Sequence, residues 1–147
     1  MESFDNVVFK GSFRSYQQQI LNNANHYLYD KKIHIVAAPG SGKTILGLEL
    51  IRRLNAPAII FSPSITIREQ WKDRFSTHFL SNKNDVDCYV SNSLLDLKLI
   101  TSVTYQSLHS AMNHLTDDEN DEYEENSVIT DFSQYDIIEA AKKAKIL

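Results

Sequence analysis

Apolar residues in the first third of the chain occur at helical spacing, then in a short run, then at helical spacing again. Residues 15–29 (SYQQQILNNANHYLY) open with a serine that can cap a helix. Their apolar side chains follow about four positions apart, at Tyr16, Ile20, Ala24 and Leu28. Residues 31–38 (KKIHIVAA) form an apolar run, and residues 43–54 (KTILGLELIRRL) carry an apolar stripe. The pattern predicts helix, strand, glycine-containing loop and helix.

The pattern continues with further strands and helices as far as residue 115. Residues 56–64 (APAIIFSPS) predict a buried parallel strand, because they lie between two helical patterns. Residues 66–80 predict a helix whose four-residue spacing places Trp71 and Phe75 in the core, on one stripe with Ile67 and Phe79. A short strand is predicted at residues 88–90 (CYV). A β-branched strand at residues 100–104 then leads into a helix through Tyr105, Leu108 and Met112.

This alternation predicts the fold class. Strands that alternate with helices indicate an α/β protein with a mostly parallel sheet and helices on both faces. Right-handed crossovers would place the glycine loop at the carboxyl edge of the sheet, where such folds bind ligands. The order of the strands stays open. The predicted organisation is one domain over residues 1–147: an N-terminal helical part (1–30), the core (33–115), an acidic loop (116–128) and a final helix (130–147).

Charge divides the chain unevenly. The net charge of the 147 residues is -4, with 42% hydrophobic and 23% charged residues, as in globular proteins. Residues 1–110 carry 12 Lys and Arg against 9 Asp and Glu, whereas residues 111–147 carry 3 against 10. The acidic excess lies in residues 116–126 (TDDENDEYEEN), which predict a solvated loop. A role in mimicking or repelling nucleic acid is the alternative.

Cysteine content and hydropathy bear on location. The single Cys88 cannot form an internal disulfide, so we expect a reducing, cytoplasmic setting and a buried thiol. No basic-then-apolar leader opens the sequence, and it has no apolar run of about 18 residues. We therefore expect neither secretion nor membrane insertion.

The loop APGSGKT predicts a phosphate-binding site. Gly40 and Gly42 allow successive backbone N–H groups to face inward at the start of a helix, which forms a nest for an anion. Lys43 would reach the β- and γ-phosphates of ATP, and the Thr44 hydroxyl would hold Mg²⁺. The predicted nucleotide contacts of the loop are Pro39, Gly40, Ser41, Gly42, Lys43, Thr44 and Ile45. The alternative is a glycine turn that precedes a helix by chance.

Two motifs resemble the first RecA-like domain of the DEAD/DEAH-like superfamily 2 helicases and translocases. AAPGSGKT resembles their A-x-x-G-x-G-K-T loop, so that Ala37, where a generic loop has glycine, matches the family. FRSYQQQ resembles their R-x-Y-Q element, which implies that Gln17 contacts the adenine edge, with Arg14 and Tyr16 in support. The alternative is a helix with solvent-facing glutamines.

The same resemblance implies nucleic-acid contacts at two places. IIFSPSITIREQW resembles a segment that places Pro63, Ser64 and a helix start against one strand's backbone. LITSVTYQSLHSA resembles a segment in which Thr104, Gln106 and Ser107 approach the same backbone, although Thr104 could simply cap a helix. Arg68 and Lys72 could belong to a nucleic-acid face or to an ordinary solvated face.

Hydrolysis in this family needs an Asp-Glu pair at the end of a buried strand. The adjacent pairs here, Asp118-Glu119 and Asp121-Glu122, lie in the acidic segment without an apolar strand before them, so neither fits. The sequence therefore predicts an incomplete RecA-like domain that binds ATP and Mg²⁺ weakly, without significant turnover. Its expected partners are nucleic acid, DNA before RNA, and the remainder of a helicase or another protein. The alternatives are a non-catalytic binding module and a different P-loop enzyme such as a small kinase.

Overall fold

The computed structural model describes residues 2–29 and 33–116 of the chain. Two short helices, α1 and α2, precede the glycine loop, and a 3-10 turn at Lys83–Asp85 follows the longest helix, α4. The elements are α1 (Ser15–Asn22), α2 (Ala24–Tyr29), α3 (Lys43–Leu54), β1 (Ala58–Ser62), α4 (Ile65–Phe79), α5 (Val86–Tyr89), β2 (Val90–Ser91), β3 (Ile100–Thr104) and α6 (Tyr105–Thr116).

The three strands form a parallel sheet in the order β1-β3-β2, which confirms the predicted fold class. Strand β3 is central and buried at every residue, and its β-branched side chains suit a strand covered on both faces. Its register pairs Ala58 with Ile100 and Ser62 with Thr104. Because the strands are parallel, the segments that follow β1, β2 and β3 leave from the same edge.

The apolar side chains of helix α4 pack against this sheet and form part of the core. Phe75 and Phe79 are buried and stack at a centroid distance of 5.7 Å, so their predicted place in the core is confirmed. Trp71 is half-buried against the same cluster. A Cβ on Gly47 would lie 2.7 Å from the Trp71 ring, so the missing side chain of Gly47 lets α3 approach α4 closely. Ile67, at the start of the predicted stripe, is 38% exposed.

The strand predicted before the glycine loop is wrong for residues 33–38. These residues have no strand assignment, and Val36 is 84% exposed. A strand is stabilised by ladder hydrogen bonds to a neighbour. Within the described ranges, the sheet consists of β1, β2 and β3 alone, so residues 33–38 have no strand beside them. The crossover expected to bring the loop to the sheet edge is therefore not formed by these residues.

The single helix predicted at residues 15–29 is two helices. The break falls at Asn23, whose side-chain amide donates to the Gln19 carbonyl at 3.0 Å and competes with the helical backbone pattern. The N-cap is Arg14 rather than Ser15. The buried positions include Gln17, Leu21 and Ala24. Of these three, Ala24 alone belongs to the predicted apolar stripe, so the buried face of α1 differs from the predicted one. Burial of the polar Gln17 is possible because both ends of its amide are hydrogen-bonded, as described below.

The expectations for the CYV segment are only partly confirmed. Val90 begins strand β2, but Cys88 and Tyr89 belong to the one-turn helix α5. The Cys88 thiol is exposed, so the predicted buried thiol is wrong. The acidic segment from residue 117 onward, both Asp-Glu pairs and the final helix predicted at 130–147 lie outside the described residues.

A buried ion cluster on α3 gives this fold a dependence on pH. Glu49 is 1% exposed and accepts hydrogen bonds from Arg52 at 2.7 and 2.9 Å and from Arg53 at 2.9 Å. Burial acts to raise the pKa of Glu49, but the hydrogen bonds and charges of Arg52 and Arg53 outweigh it, and the pKa is lowered from 4.5. The ionised carboxylate therefore stabilises the folded state at pH values above its unfolded pKa.

We expect this stabilisation to be lost as the pH falls through the lowered pKa of Glu49 in the folded state. Glu49→Gln should reduce the free energy of unfolding at pH 7 by about 1.5–3 kcal/mol, the range for hydrogen bonds to charged groups. The difference from the wild type should shrink in acid. Urea unfolding at several pH values measures the free energy of unfolding of the wild type and the variant, and Glu2→Gln, at an exposed position, is the matched control. A difference that is constant with pH would contradict the assignment.

Candidate nucleotide and nucleic-acid site

The glycine loop is a tight turn that leads directly into α3. Gly40 and Gly42 have φ values of 74° and 91°, in the left-handed region that glycine adopts without strain. The Ser41 N–H donates to the Ala38 carbonyl at 3.2 Å, and Gly42 is the N-cap residue of α3. The two glycines therefore form a turn that most other residues could adopt only with strain.

The start of α1 holds this loop through three consecutive carbonyl groups. Arg14 Nη1 donates to Gly40 O at 3.2 Å, Tyr16 Oη donates to Ser41 O at 2.6 Å, and Gln17 Nε2 donates to Gly42 O at 2.9 Å. We call Arg14, Tyr16 and Gln17 the loop support. The structure thus brings together the residues of the two motifs, FRSYQ and APGSGKT, that sequence alone could only list in order.

The contacts of Gln17 bear on its predicted role at the adenine edge. Gln17 is 3% exposed, and its Oε1 accepts from the Arg14 backbone N–H at 2.8 Å while its Nε2 donates to the loop. A Cβ on Gly42 would lie 2.6 Å from this Nε2 atom. The Gln17 amide keeps a second N–H and a second oxygen lone pair that adenine could use, and the adenine contact stays a prediction.

Lys43 lies over the loop at the first residue of α3. Its Nζ donates to the Ala37 carbonyl at 2.8 Å, and the side chain is exposed to solvent. Residue 37 therefore takes part through its backbone oxygen, which alanine and glycine both have. Of the loop residues, Pro39 and Gly40 are exposed, while Ser41, Gly42, Thr44 and Ile45 are half-buried.

The loop combines several groups that can attract an anion. A positive side chain, two left-handed glycines and a helix start occur together, and a Cβ on Gly40 would meet no atom within 4 Å. The Thr44 hydroxyl is the loop's candidate ligand for a nucleotide-bound Mg²⁺. Over the described residues, no group of three or more His, Cys, Asp or Glu side chains could hold a metal by itself.

The sheet edge beyond β1 and β3 carries the start of two long helices. The Ser64 hydroxyl caps α4 by accepting from the Ile67 N–H at 3.3 Å, and Thr104 Oγ1 accepts from the Ser107 N–H at 3.1 Å at the start of α6. The cap expected as the alternative role for Thr104 is thus formed. Because β1 and β3 are parallel neighbours, both helices point their positive ends to one edge.

A groove of about 460 Å³ lies at this edge. It is lined by Ile65, Arg68, Asn92, Ser93, Leu94, Leu95, Thr104, Gln106, Ser107, Ser110 and Ala111. Thr104, Gln106 and Ser107, which were predicted to approach nucleic acid, share it, whereas Pro63 and Ser64 lie just before its Ile65 wall. Arg68 is the one charged side chain among these described lining residues.

Arg68 and Lys72, which lie one turn apart on α4, differ in their position relative to the groove. Arg68 lines it and pairs with Glu69 at 2.7 Å, whereas Lys72, one turn later, pairs with Asp87 at 2.7 Å away from the lining. Lys72, the main cause, and Lys98 lower the pKa of the Asp87 carboxyl. Both residues are therefore in ion pairs, and Arg68 differs from Lys72 in that it also lines the groove.

Sequence reasoning missed the far wall of the groove, which residues 92–95 form after β2. Asn92 is fixed there because its side chain donates to the Ser102 carbonyl of β3 at 2.9 Å. The residues carry no motif, and their place follows from the strand order β1-β3-β2. A rule that pairs β2 with β3 in parallel would have found them, because parallel strands end at one edge.

Comparisons with known proteins agree with these features. Residues 10–138 match the family described as "Type III restriction enzyme, res subunit". The putative helicase 055L of Frog virus 3 (isolate Goorha) is 36% identical over 70 residues, which is 47% of this chain and 16% of that protein. The chain thus spans about a sixth of the length of this relative. No helix in the described ranges is both long and apolar enough to cross a membrane.

Proposed function

Because the chain belongs to the family of the type III restriction enzyme res subunit, we propose that it is the ATP-binding part of a nucleic-acid-dependent helicase or translocase. A helicase-like module of this kind uses ATP, and Mg²⁺ accompanies the nucleotide. The observation that carries the proposal is the loop at residues 37–44, in which two left-handed glycines, the Lys43 ammonium and the start of α3 converge.

The loop supports ATP binding through backbone geometry and charge. The first N–H groups of a helix have no partner within the helix, and the helix dipole adds partial positive charge at the same place. Lys43 supplies the full positive charge for the β- and γ-phosphates, and Thr44 supplies the oxygen for Mg²⁺. The bound Mg²⁺ would neutralise part of the phosphate charge.

The edge groove supports contact with one nucleic-acid strand. Its hydroxyl and amide side chains suit phosphate and sugar oxygens, Arg68 adds charge, and two helix starts favour an anion. We propose that Pro63, Ser64, Thr104, Gln106 and Ser107 follow the backbone of this strand. We propose DNA ahead of RNA, and a reducing, cytoplasmic setting.

We further propose that the chain alone binds nucleotide weakly and does not turn it over significantly. The support is chemical: phosphoryl transfer needs a carboxylate that orients water and metal, and arginines that stabilise the transition state. The loop supplies a cradle, one lysine and one threonine. The missing groups would come from another part of a helicase or from a protein partner.

Titration calorimetry of the 147-residue chain with Mg·ATP tests the nucleotide site. We expect saturable heat with a dissociation constant in the range of micromolar to millimolar, as for a modest pocket of charged contacts. No heat at millimolar nucleotide would refute the site. An ATPase rate that nucleic acid stimulates and that Lys43→Ala abolishes would refute the absence of turnover.

The groove gives a second, separate prediction. Arg68→Ala should weaken binding of a fluorescent single-stranded DNA by about 3- to 10-fold and reduce the slope of log affinity against log salt by about one, because one phosphate contact is lost. Lys72→Ala, which removes a cation from the same helix outside the groove, is the matched control and should have a smaller effect. Fluorescence anisotropy at several salt concentrations measures both, with RNA of the same sequence in parallel.

Equal effects of Arg68→Ala and Lys72→Ala would show that only the general charge of α4 attracts DNA, which contradicts the groove. Tighter binding of the RNA than of the matching DNA would reverse the proposed order of substrates.

A further inference from the structure

We propose that Tyr16 is a positioning residue of the phosphate loop: its hydroxyl, flanked by Arg14 and Gln17, holds the loop carbonyls away from the nucleotide. This inference rests on the proposed function, because it assigns how the same loop is kept ready for phosphate. It gives Tyr16 a task that is independent of the nucleobase.

The hydrogen bonds of the loop support fix the direction of three peptide groups. Its donors meet the carbonyls of residues 40, 41 and 42 at 3.2, 2.6 and 2.9 Å. In a planar trans peptide, the carbonyl and the N–H of the next residue point in opposite directions. Holding these oxygens toward α1 therefore directs the N–H groups of residues 41, 42 and 43 away from α1. The Ser41 N–H donates to the Ala38 carbonyl at 3.2 Å, so the N–H groups of Gly42 and Lys43 are the loop's candidates for an anion.

This direction decides whether the loop attracts or repels an anion. N–H groups that face a phosphate stabilise it, whereas carbonyl oxygens at the same place would repel it. The Gly42 carbonyl also accepts from the Leu46 N–H of α3 at 3.1 Å, so the start of the helix helps to hold that peptide. The peptides after Gly40 and Ser41 have no such helical bond, and the freedom of Gly40 would let them adopt other orientations without the support. Tyr16 makes the shortest of the three hydrogen bonds and acts on the carbonyl in the middle.

No described strand neighbour holds the segment on the other side of the loop. Residues 33–38 are outside the sheet, and Val36 is largely exposed. Within the described residues, the loop is therefore held by α1 on one side and continues into α3 on the other. The three side-chain hydrogen bonds therefore matter more for the conformation of the loop than they would if a paired strand preceded it.

The same contacts distinguish phosphate positioning from adenine recognition. The amide of Gln17 is engaged at both ends, and the Tyr16 hydroxyl donates to a loop carbonyl. If the support acts through the loop, a ligand that has phosphates but no base must depend on Tyr16 as much as ATP does. If it acts through adenine, only ATP depends on it.

The test compares Tyr16→Phe with the wild type by calorimetry, using Mg·ATP and Mg·tripolyphosphate as separate ligands. Removal of one net hydrogen bond corresponds to about a fivefold loss of affinity, which we expect for both ligands alike. Tyr29→Phe, on a side chain that is 87% exposed in α2, is the matched control and should bind both ligands as the wild type does. Arg14→Ala, which removes the longest hydrogen bond of the support, should give a smaller loss that is again equal for the two ligands.

A loss confined to ATP, or unchanged binding of both ligands, would overturn the inference. Thermal unfolding of the free variants checks their folding, and Arg14→Ala provides the same comparison if Tyr16→Phe unfolds early. If the wild type itself binds neither ligand, the proposed function fails instead, so the two failures are distinguishable.

Discussion

Replacing Lys43 with alanine is expected to lower the affinity of the chain for Mg·ATP by about 100-fold, the upper end of what a charge-assisted hydrogen bond contributes. The Lys43 ammonium lies over the loop, with Nζ 2.8 Å from the Ala37 carbonyl. From this position it can reach the phosphates and offset their charge, whereas alanine leaves only the backbone groups. Titration calorimetry and a fluorescent nucleotide analogue would measure the loss.

Two further variants separate the role of Lys43 from general effects of charge. Lys83→Ala removes an exposed lysine from the 3-10 turn, away from the loop, and should leave Mg·ATP binding unchanged. Lys43→Arg keeps the charge but replaces a compact ammonium by a planar group, so it should restore only part of the affinity. Because Lys43 is exposed, Lys43→Ala and Lys43→Arg should both unfold at nearly the same temperature as the wild type. Wild-type affinity in Lys43→Ala would refute the proposed phosphate site.

The strands and helices that were predicted correctly pack mainly against one another within residues 43–116, with Phe4 and Val7 completing their core. Helices α3 and α4 and strands β1 and β3 follow from apolar spacing because each buries its stripe or run in the same core. Residues 33–38 have an equally apolar pattern, but a strand also needs a neighbour for its backbone, which hydropathy does not report. The strand prediction failed because these residues have no described strand to pair with, although their composition suits a strand.

The loop and its lysine could be predicted because their chemistry lies in consecutive residues. The motif that contains the loop support was predicted, but its hydrogen bonds to the loop were not. Tyr16 donates to the backbone carbonyl of Ser41, and every residue type has such a carbonyl, so the sequence does not indicate the contact. Asn92 and its neighbours were missed for a related reason. They reach the groove through strand order, and no residue type at positions 92–95 indicates that order.

Cys88 and Gln17 show how side-chain burial can oppose residue type. Cysteine is commonly buried, yet Cys88 is exposed on the one-turn helix α5. Glutamine is commonly exposed, yet Gln17 is buried because the loop and the Arg14 backbone satisfy its amide. The hydrogen bonds of this buried amide set the separation between α1 and the glycine loop.

That separation leads to the second large effect, which is expected for Gly42→Ala. Alanine at φ 91° is strained, and its Cβ would lie 2.6 Å from Gln17 Nε2. The Gln17 side chain could move only by giving up its hydrogen bond to the Gly42 carbonyl, because the residue is buried. We expect the loop of the free variant to relax out of this conformation, so that binding must restore both the strained backbone and the displaced Gln17. The energy of doing so corresponds to a loss of Mg·ATP affinity of about 100-fold.

Gly40→Ala is the matched control, because Gly40 has a similar φ of 74° but no atom within 4 Å of an added Cβ. This variant has the strain without the collision, so its affinity loss should be smaller, about 5- to 30-fold for strain of 1–2 kcal/mol. Calorimetry on both variants gives the ratio. A ratio near one would mean that Gln17 yields freely to the added methyl group, and that the close packing of α1 against the loop does not control phosphate binding. A clearly larger loss for Gly42→Ala would locate the control of the loop at its contact with Gln17.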